Sequence, residues 1–511
     1  MKNKNKNSSA SSKDTNISVN PFSQIEYQLP KDLNDKENID NFLDKHRKKK
    51  VIVIQGLGYV GAVMSVVCAN AINDDYAVIG VDLLSKDSYW KIASINEGIF
   101  PVMADDPKIE QFYRNAMYKG NIFATFDEYA YSLADIIIID IGLDVQINYT
   151  GKKKVLDYDA DMSAFENSMR VISDNCKSDA LILIETTVPP GTSEKIAYPI
   201  LIEGLKKRGV TENKIKLGHS SERVMPGPDY IDSIQNFYRV YAGIDKKSAD
   251  ATEDFLRTII STEKFPLTRL GSTNATEISK VLENSYRAMN IAFISEWSRF
   301  AEEAGVDLHE IIDAIRLRPT HSNIMYPGIG VGGYCLTKDP LLASWSRQKL
   351  FNSRGLVQNE QSVNINNQMP KEAFDFLVSR FPDEVLGKNI CLLGVSYRGD
   401  VSDTRSSPVD SFYQHCVDSN CNVFLHDPFV SFWKERQVRV QKYLGEVLRP
   451  GFDVVVISAG HSLYKTRKFI DHLIIVKPKI IFDSLGILSN ENLNRLKRVS
   501  KVCVIGRGDL D

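Results

Sequence analysis

The stretch VIVIQGLGYVGAVMSVVCANA, residues 51–71, decides the fold. Its four β-branched residues read as a buried strand, the glycines after them as a tight turn, and the following apolar run as a helix. Gly56, Gly58 and Gly61 form GxGxxG between strand and helix. Glycine there allows the turn itself, the approach of backbone to a pyrophosphate and close helix packing. The helix N-terminus adds N–H groups and positive potential, so Tyr59 and Val60 join the glycines as candidate cofactor contacts. Alone the motif is weak, but the next strand, AVIGVD, ends in Asp82. A carboxylate at that point accepts hydrogen bonds from a ribose diol and repels a 2′-phosphate, so the expected cofactor is NAD.

Further strand-like runs at 77–81, 136–141, 180–184 and 214–218 alternate with helix-length segments, which predicts a mostly parallel, doubly wound sheet. From about residue 272 the pattern becomes helical, with Ile278, Leu282, Ser285, Met289 and Phe293 at helical spacing. The length of this stretch predicts a connecting helix with a dimer-forming surface. A loop rich in Gly and Pro at 326–339 interrupts the helices, which resume to about Phe381. A second alternation then runs through ICLLGVSYRG, NVFLHDP, DVVVISAG, KIIFDSLG and VCVIG. The expected fold is α/β: two Rossmann-like doubly wound domains joined by a helical central domain. Its parts are a polar, flexible tail with a short helix (1–48), an NAD-binding domain (49–245), a central helical domain with a cysteine loop (246–384) and a second Rossmann-like domain (385–511).

The composition, 43% hydrophobic and 25% charged with a formal net charge of −2, is that of a globular protein and advertises no nucleic-acid partner. No apolar run approaches the roughly 18 to 20 residues of a spanning helix, and the N-terminus carries no signal-type stretch, so the expected location is cytoplasmic. Seven cysteines, an odd number with no CxxC pair, predict free thiols without a disulfide framework or a metal site.

One of those cysteines stands apart. Cys335 lies in PGIGVGGYCLTKDP, a flexible loop, whereas Cys68 and Cys391 fall in apolar helix and strand and read as small core residues. Around it, GLGYVG, ETTVPPGTS, SERVMPG, the KVLEN helix, GVGGYCLTKDP and GVSYRGDVSDTRSSP occur in an order that resembles the UDP-glucose and GDP-mannose dehydrogenase family over about residues 50 to 500. The resemblance implies an NAD-dependent oxidation of a sugar-nucleotide C6 alcohol to a carboxylate, with Cys335 as the nucleophile. It further implies Lys280 as stabiliser of developing oxyanion charge, Asn284 one turn on as a substrate-orienting residue, Asp339 as the aspartate paired with that site, holding Lys280 or a water, and Glu185 in water or proton handling. The second Rossmann-like half matches the family's nucleotide-sugar domain. There Arg398 stands in a phosphate-contacting position and Arg405 matches an arginine that reaches the cofactor pyrophosphate. Tyr326, Gly332 and Lys338 of the cysteine loop are substrate-side candidates.

The chain also departs from that pattern. DIIIIDIGLDV stands where the family has VPTP, so a threonine is replaced near Leu143, and Arg318 or His321 would have to substitute for an arginine ahead of the cysteine loop. SERVMPG is similar to the version in enzymes for UDP-N-acetylhexosamines, whereas Lys338 is similar to the UDP-glucose branch. A UDP-N-acetylhexosamine is therefore the favoured substrate and UDP-glucose the alternative. Arg223 contacts sugar or phosphate, or else forms a structural ion pair. A hydroxyacid-type dehydrogenase would need neither Cys335 nor the second half, and a non-catalytic NAD or sugar-nucleotide sensor would not need Cys335, Lys280, Asn284 and Asp339 together. At least a homodimer is expected.

Overall fold

The computed structural model of the chain describes residues 16–510, apart from 103–105, 150–154, 211–214, 225–226 and 382–383. The chain divides into two compact units, 1–141 with 167–186 and 200–269, and 142–166 with 187–199 and 270–511. Segments 142–166 and 187–199, expected within the first domain, thus belong to the second unit, together with the central helices and the second sheet. Residues 1–15, Lys214, Met225 and Pro226 of the predicted elements and motifs lie outside the described residues.

In the first unit the stretch expected as a tail carries an antiparallel hairpin, β1 (Ile17–Val19) with β2 (Glu26–Gln28), and a helix at Lys36–Asp44. Three of its apolar side chains, Tyr27, Ile39 and Phe42, are buried, and the Phe42 ring stacks on Phe123 at 5.5 Å. The main sheet contains β3 (Lys50–Gln55), β4 (Tyr76–Val81), β5 (Ile122–Thr125) and β6 (Ile136–Ile139), and further strands introduced below as β9 to β12. These are Leu181–Ile184, Lys216–His219, Val240–Gly243 and Thr268–Arg269, and the order across the sheet is β12-β11-β10-β9-β6-β3-β4-β5. Only the β10–β11 pairing is antiparallel. VIVI of β3 and IIII of β6 are adjacent and almost wholly buried, as continuous apolar strands covered on both faces must be.

In the second unit β7 (Asp144–Tyr149) and β8 (Val155–Asp161) form a hairpin that the sequence did not announce. Four central helices follow, Thr273–Ala304, Leu308–Arg316, Asp339–Lys349 and Val357–Val378. The first is 32 residues long, capped at its start by the Ser272 side chain on the Ala275 N–H and ended by Gly305 in the left-handed region. A five-stranded parallel sheet completes the unit: β13 (Asn389–Leu393), β14 (Asn422–His426) and, after a short ribbon of β15 (Phe432–Trp433) with β16 (Val438–Arg439), β17 (Val454–Ile457), β18 (Ile480–Asp483) and β19 (Lys501–Val504). Its order, β14-β13-β17-β18-β19, is the second Rossmann-like sheet that the sequence predicts.

Candidate active site

The glycine turn is built as the dinucleotide reading requires. Gly56 has φ +92°, and a Cβ there would lie 2.6 Å from the Asp140 carbonyl oxygen; a Cβ on Gly61 would lie 1.9 Å from that of Gly56. A Cβ on Gly58, the N-cap of the helix Tyr59–Ala69, would meet nothing within 4 Å, so there is open space at the helix start, where a phosphate would be favoured. Tyr59 and Val60 open that helix. Asp82 sits just past β4, where its carboxylate accepts from the N–H groups of Leu57 (3.0 Å) and Leu83 (2.7 Å) and pairs with Lys91 at 2.8 Å. This turn and carboxylate suit NAD.

Just past the ends of β6 and β9 lies a buried charged cluster. Glu185 is fully buried, and its carboxylate is bound by the guanidinium of Arg239, itself buried and also donating to the Ser220 carbonyl at 3.0 Å. Burial pushes the Glu185 carboxyl up while Arg239 opposes the shift. The neighbouring Asp140 is raised well above the usual carboxylate range, by burial first and then by Glu185 and Glu222. Within this unit Glu185 is thus half of a buried ion pair with Arg239. Asp140 and Arg239 escaped the sequence reading because neither lies in a recognisable motif.

In the second unit the carbonyl of Cys335 accepts from the N–H groups of Lys338 (3.3 Å) and Asp339 (2.9 Å), turning the loop into the helix Asp339–Lys349 and leaving the cysteine exposed. Lys280 and Asn284, one turn apart on the long helix, are both buried. Asn284 donates to the carboxylate of Asp339 at 2.6 Å, and Lys338 Nζ lies 3.6 Å from the same carboxylate. The ring of Tyr334, next to the cysteine, carries Lys338 Nζ at 4.3 Å and the Arg405 guanidinium at 5.7 Å from its centroid. Its hydroxyl donates to the carbonyl of Leu143 at 2.7 Å and to Asp144, at the base of the β7–β8 hairpin; burial, then Asp144, pushes the phenol up. Arg405 is held by Asp403 (2.6 Å), and its carbonyl accepts from Gly333 N–H at 3.1 Å. A Cβ on Gly332 would lie 2.4 Å from the Ser406 carbonyl oxygen, so only glycine fits there. The cysteine loop, the Asp403–Ser407 loop and the hairpin base therefore converge.

Other predicted residues are placed differently. Arg398 is exposed on a loop held by a buried Asp427, which accepts from Val395 N–H (2.9 Å), and by His461, which accepts from Asp400 N–H (2.9 Å). Tyr326 stacks on His309 at 5.7 Å, lies under Arg316 and donates to Asp313, so its hydroxyl is engaged away from the cysteine. Arg223 is half-buried, and Arg318 and His321 are exposed. All seven cysteines are free. Among the described residues no His, Cys, Asp and Glu side chains cluster as a metal site, and no helix is long and apolar enough to cross a membrane.

A ribose-reading carboxylate beside an open glycine turn, in a chain with a second parallel sheet of the same type, defines a dinucleotide-dependent oxidoreductase. The chain belongs to the UDP-glucose/GDP-mannose dehydrogenase family: its NAD binding domain matches residues 49–260, its central domain 274–366 and its UDP binding domain 391–490. The chain is 30% identical over 470 residues to the UDP-N-acetyl-D-mannosamine dehydrogenase of Pyrococcus horikoshii, covering 90% of this chain and all of that one. It is 28% identical to the enzyme of the same name from Methanococcus vannielii, over 91% of this chain and all of the relative. Among solved structures, the NDP-N-acetyl-D-galactosaminuronic acid dehydrogenase from Methanosarcina mazei Go1 superposes with a TM-score of 0.73 at 25% identity, over 92% of this chain and 98% of the other. The protein is an NAD-dependent nucleotide-sugar dehydrogenase.

Proposed function

We propose that the chain oxidises the C6 alcohol of a UDP-N-acetylhexosamine to the uronate in two successive oxidations through Cys335. The observation that carries this reading is the Asn284–Asp339 hydrogen bond, which joins the long helix carrying Lys280 to the turn that presents the cysteine. NAD, when bound, accepts one hydride in each oxidation. In the first, the alcohol loses its hydroxyl proton and a C6 hydrogen, and Lys280 stabilises the developing alkoxide. The resulting aldehyde has no hydroxyl left to oxidise; addition of the Cys335 thiol restores one as a thiohemiacetal. Loss of a second hydride and a proton leaves a thioester, which water cleaves to the carboxylate and the free thiol. Asn284 orients the sugar and Asp339 holds Asn284 and the adjoining Lys338. Arg398 and Arg405 are assigned to diphosphate groups of substrate and cofactor, for which a guanidinium fork is suited. The engaged Tyr326 is not assigned to the substrate.

The hexosamine preference rests on the SERVMPG segment and on relatives named for N-acetylated sugars. Lys338 keeps UDP-glucose as the second reading. The exposed apolar face of the long helix, with Leu282 and Phe300 each about 60% exposed and Ile278, Tyr286, Phe293 and Trp297 beside them, supports a homodimer built on that helix. Seven free thiols suit the reducing cytoplasm.

The test is to supply NAD with UDP-N-acetylglucosamine, UDP-N-acetylmannosamine, UDP-glucose, UDP-galactose or GDP-mannose in turn, following NADH and product mass in the wild type and in Cys335→Ala. Two NADH per carboxylate from one N-acetylated substrate, stalled in the variant, is the expected result. Turnover of UDP-glucose alone would move the assignment to that sugar. No NADH from any of them, with NAD binding intact, would indicate a non-catalytic binding protein.

A further inference from the structure

Residues 16–48 lie outside the region that the family's domains match, which begins at residue 49. Their hairpin is docked on the cofactor side of the first unit. The helix Tyr89–Asn96 follows Asp82, and its own N-cap residue, Ser88, makes no side-chain cap. The cap comes instead from Ser18 of β1: its Oγ accepts from the Trp90 N–H at 2.9 Å and donates to the Lys86 carbonyl at 2.6 Å, and Ser18 is completely buried. A second layer reinforces the first. Asn20 donates to the Ser94 hydroxyl at 3.3 Å, Ser94 donates to the Tyr27 hydroxyl at 3.1 Å, and the Phe22 ring meets Trp90 edge-on at 6.0 Å. Apart from the bond to Lys86, each of these contacts falls on one short helix, whose third residue is Lys91, the cation 2.8 Å from Asp82.

A helix of eight residues has little stability of its own, since nucleation is costly and most of its length is end. Where it starts, and hence where Lys91 stands, is set by what caps it. We propose that the hairpin 16–28 is a positioning element for the adenosine end of NAD: by capping and gripping the helix Tyr89–Asn96 it holds Lys91 against Asp82 and fixes the carboxylate that reads the ribose. Ser18 and Tyr27 are positioning residues that touch the helix; the cofactor contact is Asp82's. The proposal concerns binding alone and does not depend on which sugar is oxidised or on Cys335.

Calorimetric titration of the full chain with NAD and with ADP-ribose, which lacks the nicotinamide, tests it without turnover. Ser18→Ala is expected to weaken both ligands about fivefold, the size of one lost capping hydrogen bond. In the Lys91→Ala background the same substitution should have no further effect, because the two residues act through one linkage. Unchanged affinity in Ser18→Ala, with or without a lower melting temperature, would overturn the proposal. So would an undiminished loss in the Lys91→Ala background, which would mean general loosening of the unit. If Ser18→Ala does not fold, Tyr27→Phe, which removes only the hydroxyl that Ser94 reaches, is judged by the same two comparisons.

Discussion

Asn284 Nδ2 lies 2.6 Å from the Asp339 carboxylate, with both side chains buried. Asn284→Ala removes the donor and leaves a buried carboxylate under-satisfied. The expected outcome is a loss of kcat of about a hundredfold, the scale for one preorganised polar group, with a smaller change in KM. Lys280→Ala should lose as much. Steady-state kinetics on the identified sugar nucleotide check both.

Tyr334→Phe keeps the ring beneath Lys338 and Arg405 but cuts the tie to Leu143 and Asp144. Because the neighbouring residue is Cys335, the expected effect is about a tenfold fall in kcat from misplacement of the loop, with UDP affinity nearly unchanged. An unaltered kcat would show that the loop is held without this tie.

The Arg239–Glu185 pair has both side chains buried, so losing one partner strands a charge. Arg239→Met is expected to destabilise the protein by about 3–5 kcal/mol in urea unfolding, and the double variant Arg239→Met/Glu185→Met to recover part of that loss.

Asp140 carries a raised carboxyl, so the folded protein holds this proton more tightly than the unfolded chain. Stability from this group is intact below the unfolded value of about 3.9 and declines as pH rises toward the higher folded value. Asp140→Asn removes that decline. Its stability should match the wild type near pH 4 and exceed it as pH rises above that, as read by unfolding curves at several pH values.

Leu282 and Trp297 share the exposed apolar face of the long helix. If that face joins two copies, Leu282→Asp with Trp297→Asp should halve the mass seen by sedimentation while leaving the fold intact by circular dichroism.

The sequence by itself determined the two largely parallel sheets, the dinucleotide turn and the cysteine loop, because each depends on local pattern: β-branched runs that demand burial, glycines that alone fit a turn, a cysteine outside any apolar segment. Family resemblance singled out Asn284 and Asp339 one by one, but their hydrogen bond, across 55 positions, was not legible in the sequence. Tertiary structure decided the rest. Glu185, a motif residue, became half of a buried ion pair because Arg239, 54 positions on, packs against it. Tyr334 found its partners on a hairpin 190 residues away, and Ser18 capped a helix 72 residues downstream. The polar stretch before residue 49 gave no periodic signal, since a hairpin held by single hydroxyl contacts needs very few apolar side chains. Hydrogen bonds between distant side chains leave no periodicity in a sequence, whereas the burial of whole strands and helices does.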